Sequence, residues 1–201
     1  MQLSNRKDNP IFVRRNTTMK KLNTVTKIVA KILEVVHWLA AAFMAVAAIC
    51  SAAGAGWLEN LANANGMQAE NASVYGFDVN LLDASGKVNK TSLLLFALAA
   101  VLIFLLMAMV FRNIYLIIKN SVGTTPFQKD NVRMVREIGI FSIAIPVIGL
   151  IMSVIIRLAV GAETAEISVN LDGFVMGIVL LCLSQVFAYG VGIEEDVDGL
   201  L

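Results

Sequence analysis

The sequence predicts an all-α membrane protein built on four transmembrane helices. Three observations carry that expectation. Apolar residues make up 58% and charged residues 15% of the 201-residue chain, against about 45–50% and about 25% in soluble domains. Four stretches of about 20 residues contain no Asp, Glu, Lys or Arg, which is the length that crosses roughly 30 Å of hydrocarbon. The segments between them alternate between rich and poor in Lys and Arg. This composition excludes a disordered chain, a disulfide scaffold and a nucleic-acid-binding surface of the usual kind. The net charge of +1 carries little information; the placement of the charges carries more.

The uncharged stretches run from Val35 to about Ala53, Ser92 to Phe111, Ile138 to Ile156 and Phe174 to about Gly192. With their flanks they give spans of about 28–53, 92–118, 138–157 and 174–192, within a transmembrane domain over 28–192. Backbone groups cannot stay unpaired in lipid, so each span is read as a helix. Residues 1–27 form a basic N-terminal arm, polar and without an apolar period up to Thr18. Two readings of it stay open: a disordered arm lying on anionic lipid, or a true start at Met19, where Met19-Lys20-Lys21 resembles a bacterial initiation site. The first span is too long, and its basic lead too extended, for a cleaved signal with an apolar core of about 7–15 residues.

The charges set the orientation. Eight basic residues precede the first uncharged stretch, and Arg112, Lys119, Lys129, Arg133 and Arg136 lie between the second and third. The segments 54–91 and 158–173 hold few. Basic residues stay cytoplasmic, so both termini and the middle connection are expected inside a bacterial inner membrane. The other two segments are then outer loops. Val74 to Leu81 and Glu166 to Leu171 both alternate like strands, and Val79-Asn80-Leu81 recurs as Val169-Asn170-Leu171. The two outer loops are therefore expected to pair as a small extracytoplasmic β-element. Asp83-Ala84-Ser85-Gly86 reads as a turn. Asn71-Ala72-Ser73 and Asn89-Lys90-Thr91 match the glycosylation pattern, which nothing else in the chain supports.

The most informative segment is the cytoplasmic elbow, 124–137. Thr125 can cap a helix, Pro126 suits its first position, and Gln128 completes a capping box. Phe127, Met134, Val135 and Ile138 fall near one face, and Lys129, Arg133 and Arg136 on another. An amphipathic helix of this kind lies in the interface before turning into the bilayer. It serves as a structural elbow, and its basic face suits a cytoplasmic partner.

This elbow resembles that of the DUF 2975 family, small four-helix bacterial membrane proteins of unknown function. The residues that carry the likeness are Pro126-Phe127, Asn131, Arg133, Arg136, Ile138 and Gly139, together with Tyr189-Gly190-Val191 and the acidic tail over 193–201. It covers roughly Lys20 to Leu201. The resemblance implies no catalytic residues. It implies a partner by association, because members are often encoded beside a small helix-turn-helix regulator. The expected partner-binding residues are Pro126, Phe127, Lys129, Asn131, Arg133 and Arg136.

Lys31, Glu34 and His37 lie three apart, on one stripe of the first helix. The stripe reads either as an interfacial anchor with Lys31 snorkelling or as a pH-responsive group, since His titrates near neutral pH. One His and one Glu are too few for a metal site. Arg157 ends the third span, with Glu163, Glu166 and Asp172 as candidate partners. Cys50 and Cys182 act as small apolar residues. Gly173-xxx-Gly177 and the Ala41, Ala45, Ala48 row permit close helix packing or a homo-oligomer. Pro146 and Gly149 are expected to kink the third helix, and Ser142 and Gln185 to bond between helices. No phosphate loop, metal constellation or nucleophile arrangement is present, so no enzyme, cofactor, small-molecule substrate or direct nucleic-acid contact is expected. The first expectation is a membrane-anchored interaction or signalling component. Its rivals are a small transporter or channel subunit and a structural or envelope-stress protein.

Overall fold

A computed structural model describes residues 10–53, 71–83, 86–122, 125, 127–167 and 171–198. Four long helices and one β-hairpin follow in the order α1 (Pro10–Ala52), β1 (Asn71–Val74), β2 (Phe77–Asn80), α2 (Lys90–Asn120), α3 (Lys129–Ala159) and α4 (Leu171–Asp198). Each of the four helices holds a segment long and apolar enough to cross a membrane: Lys21–Ala52, Lys90–Asn120, Lys129–Ala159 and Leu171–Val197. Each helix packs on the next along the chain.

Several helix limits differ from the sequence expectation. Helix α1 begins at Pro10, inside the stretch without an apolar period; Pro suits a first helical position and no breaker follows before Ala52. The proposed capping box does not form. Helix α3 begins at Lys129 after Gln128, whose side chain makes no capping bond. Thr125 instead donates to Glu194 Oε2 at 2.9 Å, and Pro126 lies outside the described residues. The acidic tail continues α4 as helix to Asp198. Helix α2 is capped as its sequence allows: Asn89 Oδ1 accepts from the Thr91 and Ser92 amides at 3.0 and 3.2 Å, which gives Asn89 a structural role.

The β-element is smaller than expected and differently built. Both strands come from the first connection, paired antiparallel with Val74 opposite Phe77. Val74–Leu81 is therefore not one strand but two halves around a turn. Tyr75 and Gly76 both have positive φ, at 50° and 80°, as the two-residue hairpin turn that matches strand twist requires. Among the described residues, the second connection adds a single bridge, Val79 to Ala165, with the Asn80 amide on the Thr164 carbonyl at 2.7 Å. Leu171 opens α4 rather than ending a strand, and 168–170 lie outside the described residues. The turn at Asp83 forms as read: the Gly86 amide meets the Asp83 carbonyl at 2.9 Å, and the Lys87 amide meets Asp83 Oδ1 at 3.0 Å.

The hairpin is set inside the helix bundle. Leu81 is tied to the start of α2 through the Asn89 amide, at 2.7 Å. From Leu81 to the tip at Tyr75 is six strand residues, about 20 Å. The tip meets Phe104 edge-on, at 6.4 Å between ring centroids. Phe104 lies about fourteen residues into α2, roughly 21 Å by helix rise, so the two measures agree. Phe77 and Val79 are buried while Asp78 and Asn80 are half-exposed. The buried core cluster gathers round this inner face: Val74, Phe77, Val79 and Leu81 with Phe96, Ala99, Ala100 and Ile103 of α2, Ile145 and Ile156 of α3, and Ala165. Phe77 stacks on Phe96 at 5.7 Å.

Helix α4 reaches the same depth from the other end. An added Cβ at Gly173 would sit 2.9 Å from the Ser142 carbonyl and 3.0 Å from Pro146. Pro146 is about thirteen residues, roughly 20 Å, short of the end of α3. One at Gly177 would lie 2.8 Å from the Gly139 carbonyl and would collide with the Ile143 side chain. Only glycine permits that backbone approach. The Gly173-xxx-Gly177 pair is thus a packing surface against α3. The position beside α3 is shared: α4 fills one half of its length and the hairpin fills the other.

Candidate functional site

Two groupings of polar side chains stand out. The first lies in mid-bundle, where the hairpin tip meets α1. His37 and Glu34 are both buried. His37 Nδ1 is 2.7 Å from the Leu33 carbonyl and Nε2 is 2.5 Å from the Tyr75 hydroxyl. A carbonyl only accepts, so Nδ1 carries a proton. In the neutral imidazole Nε2 then accepts from Tyr75, and in the cation it donates to the Tyr75 oxygen. Both bonds persist in either charge state. Phe104 and Phe111 enclose the ring at 6.0 and 5.0 Å. Lys31 pairs with Glu34 at 3.0 Å and lies 5.3 Å from the Tyr115 ring centroid. The stripe of Lys31, Glu34 and His37 is thus joined at Lys31–Glu34, while His37 turns to the hairpin. Sequence reasoning missed Tyr75, because its segment was assigned to an outer loop.

The second grouping lies at the elbow, between the start of α3 and the last turns of α4. Lys129, Arg133 and Arg136 line a groove of about 360 Å³ with Val132, Ala188, Val191, Gly192 and Glu195. Lys129 pairs with Glu195 at 2.7 Å, and Arg133 with Glu137 at 3.8 Å. With the Thr125–Glu194 bond, two carboxylates of the acidic tail grip the elbow. Phe127 packs under α4: its ring lies 5.5 Å from that of Phe187 and fills the space beside Gly190. Asn131 is fully buried, with Nδ2 3.3 Å from Ser121 Oγ, where it ties α3 to the end of α2. Glu137 also accepts from Asn113 Nδ2 at 2.9 Å. Of the expected partner-binding residues, Lys129, Arg133 and Arg136 share the groove. Phe127 and Asn131 are turned to structural contacts, and Pro126 lies outside the described residues.

Other polar residues serve their own elements. Arg157 donates to the Ala165 carbonyl at 3.2 Å, where a carboxylate had been expected. Ser142 donates to Ile138 of its own helix at 2.9 Å, not across to another helix. Cys50 and Cys182 are free. Among the described residues, no three His, Cys, Asp or Glu side chains cluster as a metal site.

No family model, curated protein or solved structure matches the chain. Four helices long and apolar enough to cross a membrane are the pattern of a multi-pass membrane protein.

Proposed function

We propose that this is a bacterial inner-membrane protein with both ends in the cytoplasm, and that it anchors a cytoplasmic protein at the α3–α4 groove. The observation that supports this most is the pairing of basic elbow and acidic tail. Three cationic side chains line one groove over an aliphatic floor, and its only carboxylate among the described residues, Glu195, comes from the tail. Such a surface suits a partner that presents an acidic segment beside an apolar contact. The tail already makes the same contact, so a partner would compete with Glu194 and Glu195. A small helix-turn-helix regulator is the partner that the DUF 2975 resemblance suggests.

In-cell crosslinking followed by purification in mild detergent tests the proposal. A stoichiometric partner crosslinked near Lys129, lost on the double change Arg133→Glu and Arg136→Glu, is the expected result. The changes Glu194→Gln and Glu195→Gln should raise its recovery. A protein that emerges alone, or a partner retained by the double variant, would refute the anchoring role.

A further inference from the structure

The membrane-side end of the α3–α4 groove holds two polar side chains, Arg136 and Gln185, without a partner among the described residues. We infer that this end binds an anionic glycerophospholipid, with Arg136 and Arg133 on the phosphate and the Gln185 amide on a glycerol ester carbonyl. The inference rests on the membrane reading of the four helices. It needs no protein partner, since Lys129 and the tail carboxylates lie at the opposite, outer end of the groove.

Depth is the first argument. Gly139 lies against Gly177 and Leu181, and Phe127 against Gly190. The elbow residues between Phe127 and Gly139 therefore run beside the stretch of α4 from Leu181 to Gly190. That stretch has no Asp, Glu, Lys or Arg, and its Leu183, Val186 and Tyr189 are exposed, as suits lipid contact. Arg133 and Arg136 thus stand level with an apolar, lipid-facing helix. Charges at such a depth are costly without a counter-charge, and basic pockets between membrane helices take anionic headgroups.

The contacts already made decide which groups are left for a ligand. Lys129 is held by Glu195 at 2.7 Å, and Arg133 touches Glu137 only at 3.8 Å. Arg136 is exposed, forms no ion pair among the described residues, and lines the groove with Val132, Ala188 and Val191. Gln185 does not bond across to another helix: it is exposed and makes no hydrogen bond among the described residues. At three- and four-residue spacing it shares the groove-side face of α4 with Ala188 and Gly192. An amide left open on a membrane-spanning helix needs a partner, because hydrocarbon supplies none. Helical side chains lean toward the N-terminus of their own helix. Arg136 therefore leans toward the elbow, and Gln185, on the antiparallel α4, toward mid-membrane. Ile140, one turn beyond Arg136 on the same face of α3, is 50% exposed and offers an apolar track. Guanidinium, amide and track follow the order of phosphate, ester and acyl chain, and a guanidinium suits phosphate oxygens in particular. A zwitterionic headgroup would add an ammonium beside three basic side chains, so a net-negative lipid is favoured.

Native mass spectrometry tests the proposal, with the full-length protein delipidated in detergent and titrated with phosphatidylglycerol or phosphatidylcholine of matched acyl chains. The expected result is about one phosphatidylglycerol per chain, bound about tenfold or more tighter than phosphatidylcholine. Arg136→Gln should remove that preference. Ala188→Trp, which fills the groove from an exposed position, should abolish binding. Gln185→Leu should weaken both lipids alike, because the ester is common to them. Lys119→Gln, at an exposed position of α2 outside the groove, should change nothing, and glycerol phosphate should not compete. Equal binding of the two lipids would overturn the proposal and leave the membrane reading intact. So would an equal loss in Lys119→Gln and Arg136→Gln, or full competition by glycerol phosphate, which would mark a site for soluble phosphate. If Arg136→Gln fails to fold, Ala188→Trp and the soluble competitor decide.

Discussion

Beside α3, one half of the bundle is completed by a helix and the other half by a β-hairpin. The helical half packs through glycine: Gly177 against Gly139 and Ile143, and Gly173 against Ser142 and Pro146. Most large side chains of α4, such as Val175, Ile178 and Val186, remain exposed on its outer face, as suits a lipid-facing helix. The hairpin half packs through aromatic and branched side chains, with Phe77 2% and Val79 1% exposed. The difference follows from backbone hydrogen bonding. A helix satisfies its own amides and can stand in lipid on one side. A two-stranded hairpin leaves edge groups unpaired, so at membrane depth it must be buried in protein or face water. One edge contact is visible where Asn80 bonds to Thr164.

Four substitutions, with Gly192→Ala as a control, sharpen that contrast, taken from the largest expected effect to the smallest. Phe77→Ala removes the ring at the centre of the core cluster and should destabilise by about 3–5 kcal/mol, read as a lower thermal midpoint in detergent. A loss under about 1 kcal/mol would mean that the hairpin is not part of the core. Gly177→Ala should cost about 1–3 kcal/mol, because the new methyl meets a backbone carbonyl as well as Ile143. Gly192→Ala, which has no neighbour within 4 Å, should change the midpoint little; equal effects at both positions would remove the glycine-packing account of α4. Tyr75→Phe leaves His37 Nε2 without its hydroxyl partner, and should cost about 1–3 kcal/mol by the same assay. Lys129→Gln breaks an ion pair whose side chains are 77% and 59% exposed. It should alter stability by about 0.5 kcal/mol or less, measured by chemical denaturation.

The helices were legible because length and absence of charge are local properties of the chain. That Gly173 and Gly177 would serve a close helix contact was legible for the same reason, as small residues at helical spacing; that the contact is made with α3 was not. The hairpin was legible only as strand material. Its turn was hidden because Tyr75 takes a positive φ that bulky residues seldom adopt. Its depth was hidden because hydropathy assigns a segment with Asn71, Ser73, Asp78 and Asn80 to the aqueous side. The mid-bundle residue Tyr75 was missed as a consequence, although His37 was singled out. At the elbow, the basic groove could be read from spacing. The capping box could not be trusted, since Thr125 is taken by Glu194, a partner distant in sequence.

The depth of the hairpin is the central claim, and paired cysteines test it most directly. In a background of Cys50→Ser and Cys182→Ser, Tyr75→Cys is combined with either Met107→Cys or Ser92→Cys, and a short bifunctional maleimide is added to membranes. Tyr75 and Met107 line one pocket, whereas Ser92 lies in the first turn of α2, about 20 Å above the hairpin tip by helix rise. Rapid crosslinking of the first pair and none of the second is the expected result. Crosslinking to position 92 but not to 107 would place the hairpin at the end of the bundle and contradict the account.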